Sequence, residues 1–377
     1  MKVLFLGRFD LFDKRGGDTV QIENTAEELK KLGVEVIIKT SPNCGMSDYD
    51  LIHIFQLDWI PEIYFYAKKA KESGKSIILS PIHHNINEVK KLDDIYVFDF
   101  TRISRVFFKD QFKRDTFKNV YRSFVDIRRM PATLFSIFYG FKKMQKEVLQ
   151  WSKKILVQTE LEARDLKETF DVNIDCVKIP NGVGRNYLTA GNYDYKQPLA
   201  EKDYVISVGR IEPRKNQLNI IKAVELLRSA LEKEIGLVFI GCLGERKHLE
   251  YSTIFLREVG KRPWIKHISK VPYEEMPAYY KNAKVCVSAS WFETTGLTSL
   301  EALFCGTNAV ASGERAKEYL GNFASYCSPE SPESIKDAIR KEYLAPRPQI
   351  DENMKYEYTW ENAARKTLEV YKEITKE

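Results

Sequence analysis

Short apolar runs alternate with amphipathic helical patterns through the first 190 residues, and the runs at 2–6, 34–39, 51–55, 76–79 and 154–158 read as buried strands. Between the first two, residues 19–32 turn Val20, Ala26 and Leu29, joined by Ile22, toward one helical face, and Gly33 supplies the stop. Strand, loop, helix and strand make a βαβ unit, whose repetition predicts a parallel sheet. After the polar, turn-prone stretch 191–198 the rhythm restarts, with strands expected at 204–208, 236–240, 266–269, 285–288 and 308–311. The expected fold class is α/β, with two Rossmann-like domains facing each other across a cleft at the carboxyl ends of their strands, where open sheets bind ligands. A terminal helix at 361–372, behind Trp360, is expected to cross back to the first domain. The expected bounds are 1–192, completed by 357–377, and 193–356.

A length of 377 residues agrees with two domains of roughly 150 to 200 residues each. With 44% hydrophobic and 30% charged residues the composition is that of a globular protein, and no run of about 18 apolar residues offers a membrane span. Residues 1–7 are too short an apolar run for a signal peptide, so a cytoplasmic location is expected. Six single cysteines, with neither a C-x-x-C pair nor a histidine at ligand spacing, point to reduced thiols and to no metal site.

Charge is regional. From Arg102 to Lys146 twelve Lys or Arg face three Asp, a local +9 that leaves the rest of a chain of net charge +6 at −3. Eight Phe are interleaved with those cations: Phe107, Phe108, Phe112, Phe117, Phe124, Phe135, Phe138 and Phe141. Two readings stand side by side: an interfacial segment on an anionic membrane surface, through 102–146, or a helical insertion of about 85–146 that buries its Phe and solvates its charges.

The chemistry concentrates in the second half. Residues 288–302 follow an apolar strand and open a helix, so freed backbone N–H groups near Gly296, Leu297 and Thr298 suit a diphosphate or sugar hydroxyl. Glu301, about one turn into that helix, could accept two hydrogen bonds from a ribose diol, and Glu293 could do the same for a sugar; alone, either could be a capping or solvated acid. The loop from Gly209 carries Arg210 and Lys215, a guanidinium fork and a point charge suited to holding a diphosphate as a leaving group.

These residues resemble the GT-B glycosyltransferases, and within them the large retaining family 4, the glycosyl transferases group 1. The E-x7-E spacing of Glu293 and Glu301 and the G-R-x4-K spacing of Gly209, Arg210 and Lys215 carry the resemblance. It implies that Arg210 and Lys215 bind the donor diphosphate, that Glu293 contacts the donor sugar and that Glu301 contacts the ribose. Gly16 and Gly17 resemble the family's N-terminal glycine loop, residues 180–183 its interdomain segment and 302–306 its helix end, and backbone near Lys270 and Val271 is implied to touch the base. The family's histidine near the donor sugar matches His83, favoured here, or His84. Thr294 and Thr295 depart from the family's usual E-G-F-G-L-P, and Gly184 stands where an aspartate is common, so the sugar stays open.

The resemblance implies a retaining hexosyltransferase whose nucleotide-sugar co-substrate, UDP-linked by preference and GDP-linked as the alternative, gives its sugar to a glycan or lipid-linked acceptor in polysaccharide or envelope synthesis. It implies neither prosthetic group nor required metal. No second carboxylate is placed as a nucleophile for double displacement. A sugar-nucleotide epimerase or a sugar phosphorylase of the same fold is the alternative. An NAD-dependent dehydrogenase is disfavoured because residues 5–10 lack G-x-G-x-x-G, and a nucleic-acid-binding protein because no reading motif accompanies the basic stretch.

Overall fold

The computed structural model describes residues 1–41, 45–95, 102–125, 127, 130–190, 197–199 and 203–376. Among these, twelve strands form two wholly parallel sheets of six. The first half contributes β1 (Lys2–Leu6), β2 (Glu35–Lys39), β3 (Leu51–Phe55), β4 (Ser76–Ser80), β5 (Lys154–Val157) and β6 (Cys176–Lys178), in the order β2-β1-β3-β4-β5-β6. The second contributes β7 (Tyr204–Val208), β8 (Gly236–Ile240), β9 (Ile265–Ile268), β10 (Val285–Val287), β11 (Asn308–Ala311) and β12 (Ala324–Tyr326), in the order β12-β11-β10-β7-β8-β9. Two compact units result, one of 1–86, 103–182 and 357–377, the other of 87–102 and 183–356. The units divide earlier than 192/193 because Tyr187 is buried and packs its ring on Tyr273 and Tyr280 of the second unit. The polar stretch 191–196 lies outside the described residues.

Strand sequence explains the layering. Side chains alternate between faces, so Leu4 and Leu6 enter one cluster of the first unit while Val3 and Phe5 enter the other. Both faces are covered, as a parallel sheet requires. Helices Glu62–Glu72 and Phe141–Trp151 supply one cover; helices Gly17–Lys31 and Trp360–Lys376 supply the other.

Helix Gly17–Lys31 buries Thr19, Ile22, Ala26 and Leu29, whose three- and four-residue steps make one stripe. Val20 falls off that stripe and is exposed, a correction to the expected face. The terminal helix does return to the first unit: Trp360, Ala364 and Tyr371 join its core. Gly182 admits that return, since a Cβ there would stand 2.1 Å from the Trp360 nitrogen. Inside, the Tyr371 hydroxyl meets His53 Nδ1 at 2.5 Å and Ser80 Oγ lies 2.9 Å from His53 Nε2, while burial pushes the imidazole down to about 3 and keeps it neutral.

The basic aromatic stretch folds as helices Arg102–Phe107, Gln111–Val125, Met130–Tyr139 and Phe141–Trp151. Its phenylalanines split. Phe141 is buried and Phe112 and Phe135 pack against the first core, whereas Phe107, Phe124 and Phe138 are 71%, 72% and 89% exposed, so neither full burial nor full exposure describes the segment. Among the described residues no helix is long and apolar enough to cross a membrane.

Candidate active site

Read from β9, the second sheet runs β9-β8-β7-β10-β11-β12, so strand order reverses between β7 and β10. That reversal is the topological switch point, where loops leaving adjacent strands diverge and open a crevice for a ligand. The loop after β7 carries Gly209, Arg210 and Lys215; the loop after β10 carries Glu293 and runs into helix Leu297–Phe304, which bears Glu301.

The β7 loop is shaped by close backbone approach. Gly209 has φ +147 and Gly241, after β8, has φ +149; a Cβ on Gly241 would stand 2.2 Å from the Gly209 carbonyl oxygen. Only glycine fits there. Asn216, in the left-handed region, then ends the 3-10 turn Pro213–Lys215 and donates Nδ2 to the carbonyls of Ala289 (3.0 Å) and Pro329 (2.7 Å), tying the two loops together.

Across the tie, Lys215 Nζ bonds Glu293 Oε1, and Arg214 Nη1 lies 3.6 Å from Glu293 Oε2. Arg214 also donates Nε to Glu212 at 3.0 Å and covers the Phe292 ring, and Arg210 stands 3.8 Å from Glu212. Burial would raise the Glu293 carboxyl, but the ammonium of Lys215 and the guanidinium of Arg214 outweigh it and hold the group at about 2. Burial likewise opposes ionisation of Glu212, and Arg214 and Arg210 overcome it. Three cations face two carboxylates on this loop pair, leaving an excess positive charge suited to an anion.

Glu301 has a different setting. Its Oε2 accepts the Tyr280 hydroxyl at 2.8 Å, and burial raises its carboxyl to about 7. Gly296 caps its helix at φ −120, open to any residue, and a Cβ there would meet the Leu320 side chain at 3.0 Å. Lys270, exposed, and Val271, half-buried, follow β9 on the same carboxyl edge of the sheet.

Gly16, Gly17 and His83 belong to the first unit. Its sheet reverses order between β1 and β3. Gly16 caps and Gly17 begins the helix after the β1 loop, where buried Arg8 bonds Asp18 (2.6 Å) and Asp10 (2.6 Å). Gln21 Oε1 accepts from Gln158 (2.7 Å) and Asn181 (3.2 Å), so the glycine-loop helix holds Asn181. His83 is buried, its Nδ1 2.6 Å from Asp58 Oδ1 and its N–H donated to Glu162 Oε1 at 2.8 Å; His84 is half-exposed, with Nδ1 3.3 Å from Asp58 Oδ2. The two imidazoles together hold Asp58 well below the usual carboxylate range against its own burial.

Sequence reasoning passed over Arg214, Glu212, Tyr280, Asp58 and Gly241. Arg214 and Glu212 lie on the same loop as Arg210 and Lys215 and could have been weighed with them; Tyr280 and Gly241 come to that loop pair and its helix only through the fold of the second unit, and Asp58 to His83 through that of the first. Among the described residues no three His, Cys, Asp or Glu side chains gather as a metal site.

Residues 193–364 match the family described as glycosyl transferases group 1. Over 187 residues, 47% of this chain and 48% of the relative, the protein is 28% identical to O-antigen chain mannosyltransferase B of Escherichia coli. It is 25% identical over 171 residues to a D-inositol 3-phosphate glycosyltransferase of Arthrobacter, covering 44% and 40% of the two chains. The matches thus span less than half the length of these curated relatives. An uncharacterized glycosyltransferase of Methanocaldococcus jannaschii is 22% identical across 92% of this chain and 79% of its own. In fold, sucrose-phosphate synthase from Thermosynechococcus elongatus superposes with a TM-score of 0.69 at 15% identity, covering 99% of each chain. HepE of Anabaena, solved with UDP-glucose, gives 0.66 at 12%, covering 99% of this chain and 100% of its own. Residues 193–364 thus match the glycosyl transferases group 1, and the two Rossmann-like units have the GT-B fold of these solved neighbours.

Proposed function

We propose that the protein transfers a hexose from a nucleoside-diphosphate sugar to an acceptor hydroxyl with retention of anomeric configuration. The observation that carries the proposal is the pairing at the β7/β10 switch point, where Lys215 and Arg214 hold Glu293 and Arg210 stands beside Glu212. Arg210 and Lys215 receive the diphosphate; Glu301 takes the ribose and Glu293 the sugar. Backbone at Gly209, Gly296, Leu297 and Thr298 lines the donor, and Lys270 and Val271 lie toward the base. Gly16, Gly17 and His83 take part on the strength of the sequence resemblance.

In the reaction the bond from the anomeric carbon to the phosphate oxygen breaks, the bond to the acceptor oxygen forms on the same face, and the acceptor proton passes to the departing phosphate. Fixed cations stabilise the charge that develops on that phosphate. Glu293 is ill suited to act as nucleophile, because Lys215 and Arg214 engage its oxygens. No step calls on a metal. UDP is the favoured nucleotide, in keeping with the UDP-glucose complex of HepE. A polysaccharide or envelope-glycan product is in keeping with the O-antigen relative. Assaying UDP-, GDP- and ADP-linked sugars for transfer and hydrolysis, with Glu293→Ala and Lys215→Ala as controls, tests the proposal; an inverted product anomer by NMR contradicts its mechanism.

A peripheral position on the inner face of the membrane, with a lipid-linked acceptor, is supported by the exposed Phe107, Phe124 and Phe138 lying among exposed Arg105, Lys109, Lys113, Lys142 and Lys143. Binding to phosphatidylglycerol vesicles should weaken with salt. No binding at low salt contradicts it.

A further inference from the structure

Glu301 sits in a shell of phenols and thiols. Tyr280, from helix Met276–Asn282, is wholly buried and donates to Oε2 at 2.8 Å. Behind it the buried Tyr187 packs its ring edge-on against both Tyr280, at 6.0 Å, and Tyr273, at 5.4 Å. Cys286 from β10 and Cys305, which ends the Glu301 helix, are buried nearby. The cation of this neighbourhood, Lys281, donates instead to the Ala190 carbonyl at 3.2 Å. Tyr280 is the hydrogen-bond donor to Glu301 among the described residues, and its phenol favours the carboxylate form.

We propose that Tyr280 is a positioning residue for donor recognition: its hydroxyl fixes Oε2 of Glu301, so that the carboxylate is presented to the vicinal diol of the nucleotide ribose. The proposal rests on the ribose role given to Glu301 above. Burial drives this carboxyl toward its neutral form, and a neutral carboxyl accepts one diol hydrogen bond poorly where a carboxylate accepts two. Tyr280 opposes that drift, and its own hydroxyl, raised well above the ordinary phenol, stays a donor throughout the working pH range. Ribose recognition is thereby linked to proton release from a single site.

The test measures the affinity ratio of a nucleoside diphosphate, from whichever of UDP, GDP and ADP the wild type binds most tightly, to its 2′-deoxy analogue from pH 6 to 9. The ratio cancels ionisation of the phosphates. For the wild type it should rise with pH. Tyr280→Phe should lower it about tenfold at pH 7, with recovery toward pH 9, a rescue that a merely structural defect would not show. Glu301→Gln should abolish the pH dependence, and adding Tyr280→Phe to it should change the ratio no further. Should Tyr280→Phe fail to fold, 3-fluorotyrosine at position 280, a stronger donor of the same shape, should raise the ratio at pH 6. A wild type that does not discriminate against the deoxy analogue overturns the ribose role itself. Discrimination that neither Tyr280 variant alters overturns the role of Tyr280 alone.

Discussion

Glu293 and Glu301 lie in one loop and helix, eight positions apart, and face opposite electrostatic surroundings. Glu293 meets an ammonium and a guanidinium and stays ionised down to about 2. Glu301 meets phenols and thiols and titrates at about 7. Both are buried enough to be penalised for their charge; what differs is whether a cation answers it. Under the proposed function, the difference suits them to different work. A carboxylate paired with Lys215 and Arg214 keeps those two cations fixed beside it. A carboxyl with one neutral donor keeps an oxygen available for hydroxyls of the ligand.

The largest way to break the comparison is to remove the cation. Lys215→Ala should reduce kcat by about 10² to 10³, since it deletes both a leaving-group contact and the partner of Glu293. Unchanged turnover would mean that the Lys215–Glu293 pair is only structural. Next, Glu301→Gln should weaken nucleoside-diphosphate binding by about 10- to 100-fold in a calorimetric titration, with KM affected more than kcat.

Stability should respond in the opposite sense. The folded carboxyl of Glu301 lies above its unfolded value, so the native state holds an extra proton between about pH 4.5 and 7 and wild-type stability declines as pH rises through that window. Glu301→Gln should therefore be more stable than wild type by about 3 kcal/mol at pH 8 in urea unfolding, with no difference near pH 4. A difference that ignores pH would contradict the account. The smallest effect is expected from Arg214→Lys, which keeps charge near Glu293 but loses the donor to Glu212; a kcat lowered about fivefold, and restored by no change of pH, is predicted.

Much of this was legible in the chain. Ten strands were marked by apolar runs, and the loops after β7 and β10 by their charged residues. The unmarked strands, β6 and β12, are three residues each at sheet edges, where burial demands little apolar pattern. The polar contacts were less visible. Tyr280 reads as an ordinary aromatic of a short helix until the fold sets it against Glu301, and Gly241 as an ordinary strand-end glycine until the Gly209 carbonyl is seen where its Cβ would be. Val20 misled because an apolar residue can sit one step off a helical stripe at little cost.

The central claim, that one carboxylate serves the sugar and the other the nucleotide, is tested most directly by comparing the binding of UDP and UDP-glucose to wild type, Glu293→Gln and Glu301→Gln. Glu301→Gln should weaken both ligands alike, whereas Glu293→Gln should weaken UDP-glucose and leave UDP nearly unchanged. Equal losses for both ligands in both variants, or the reverse assignment, would contradict it.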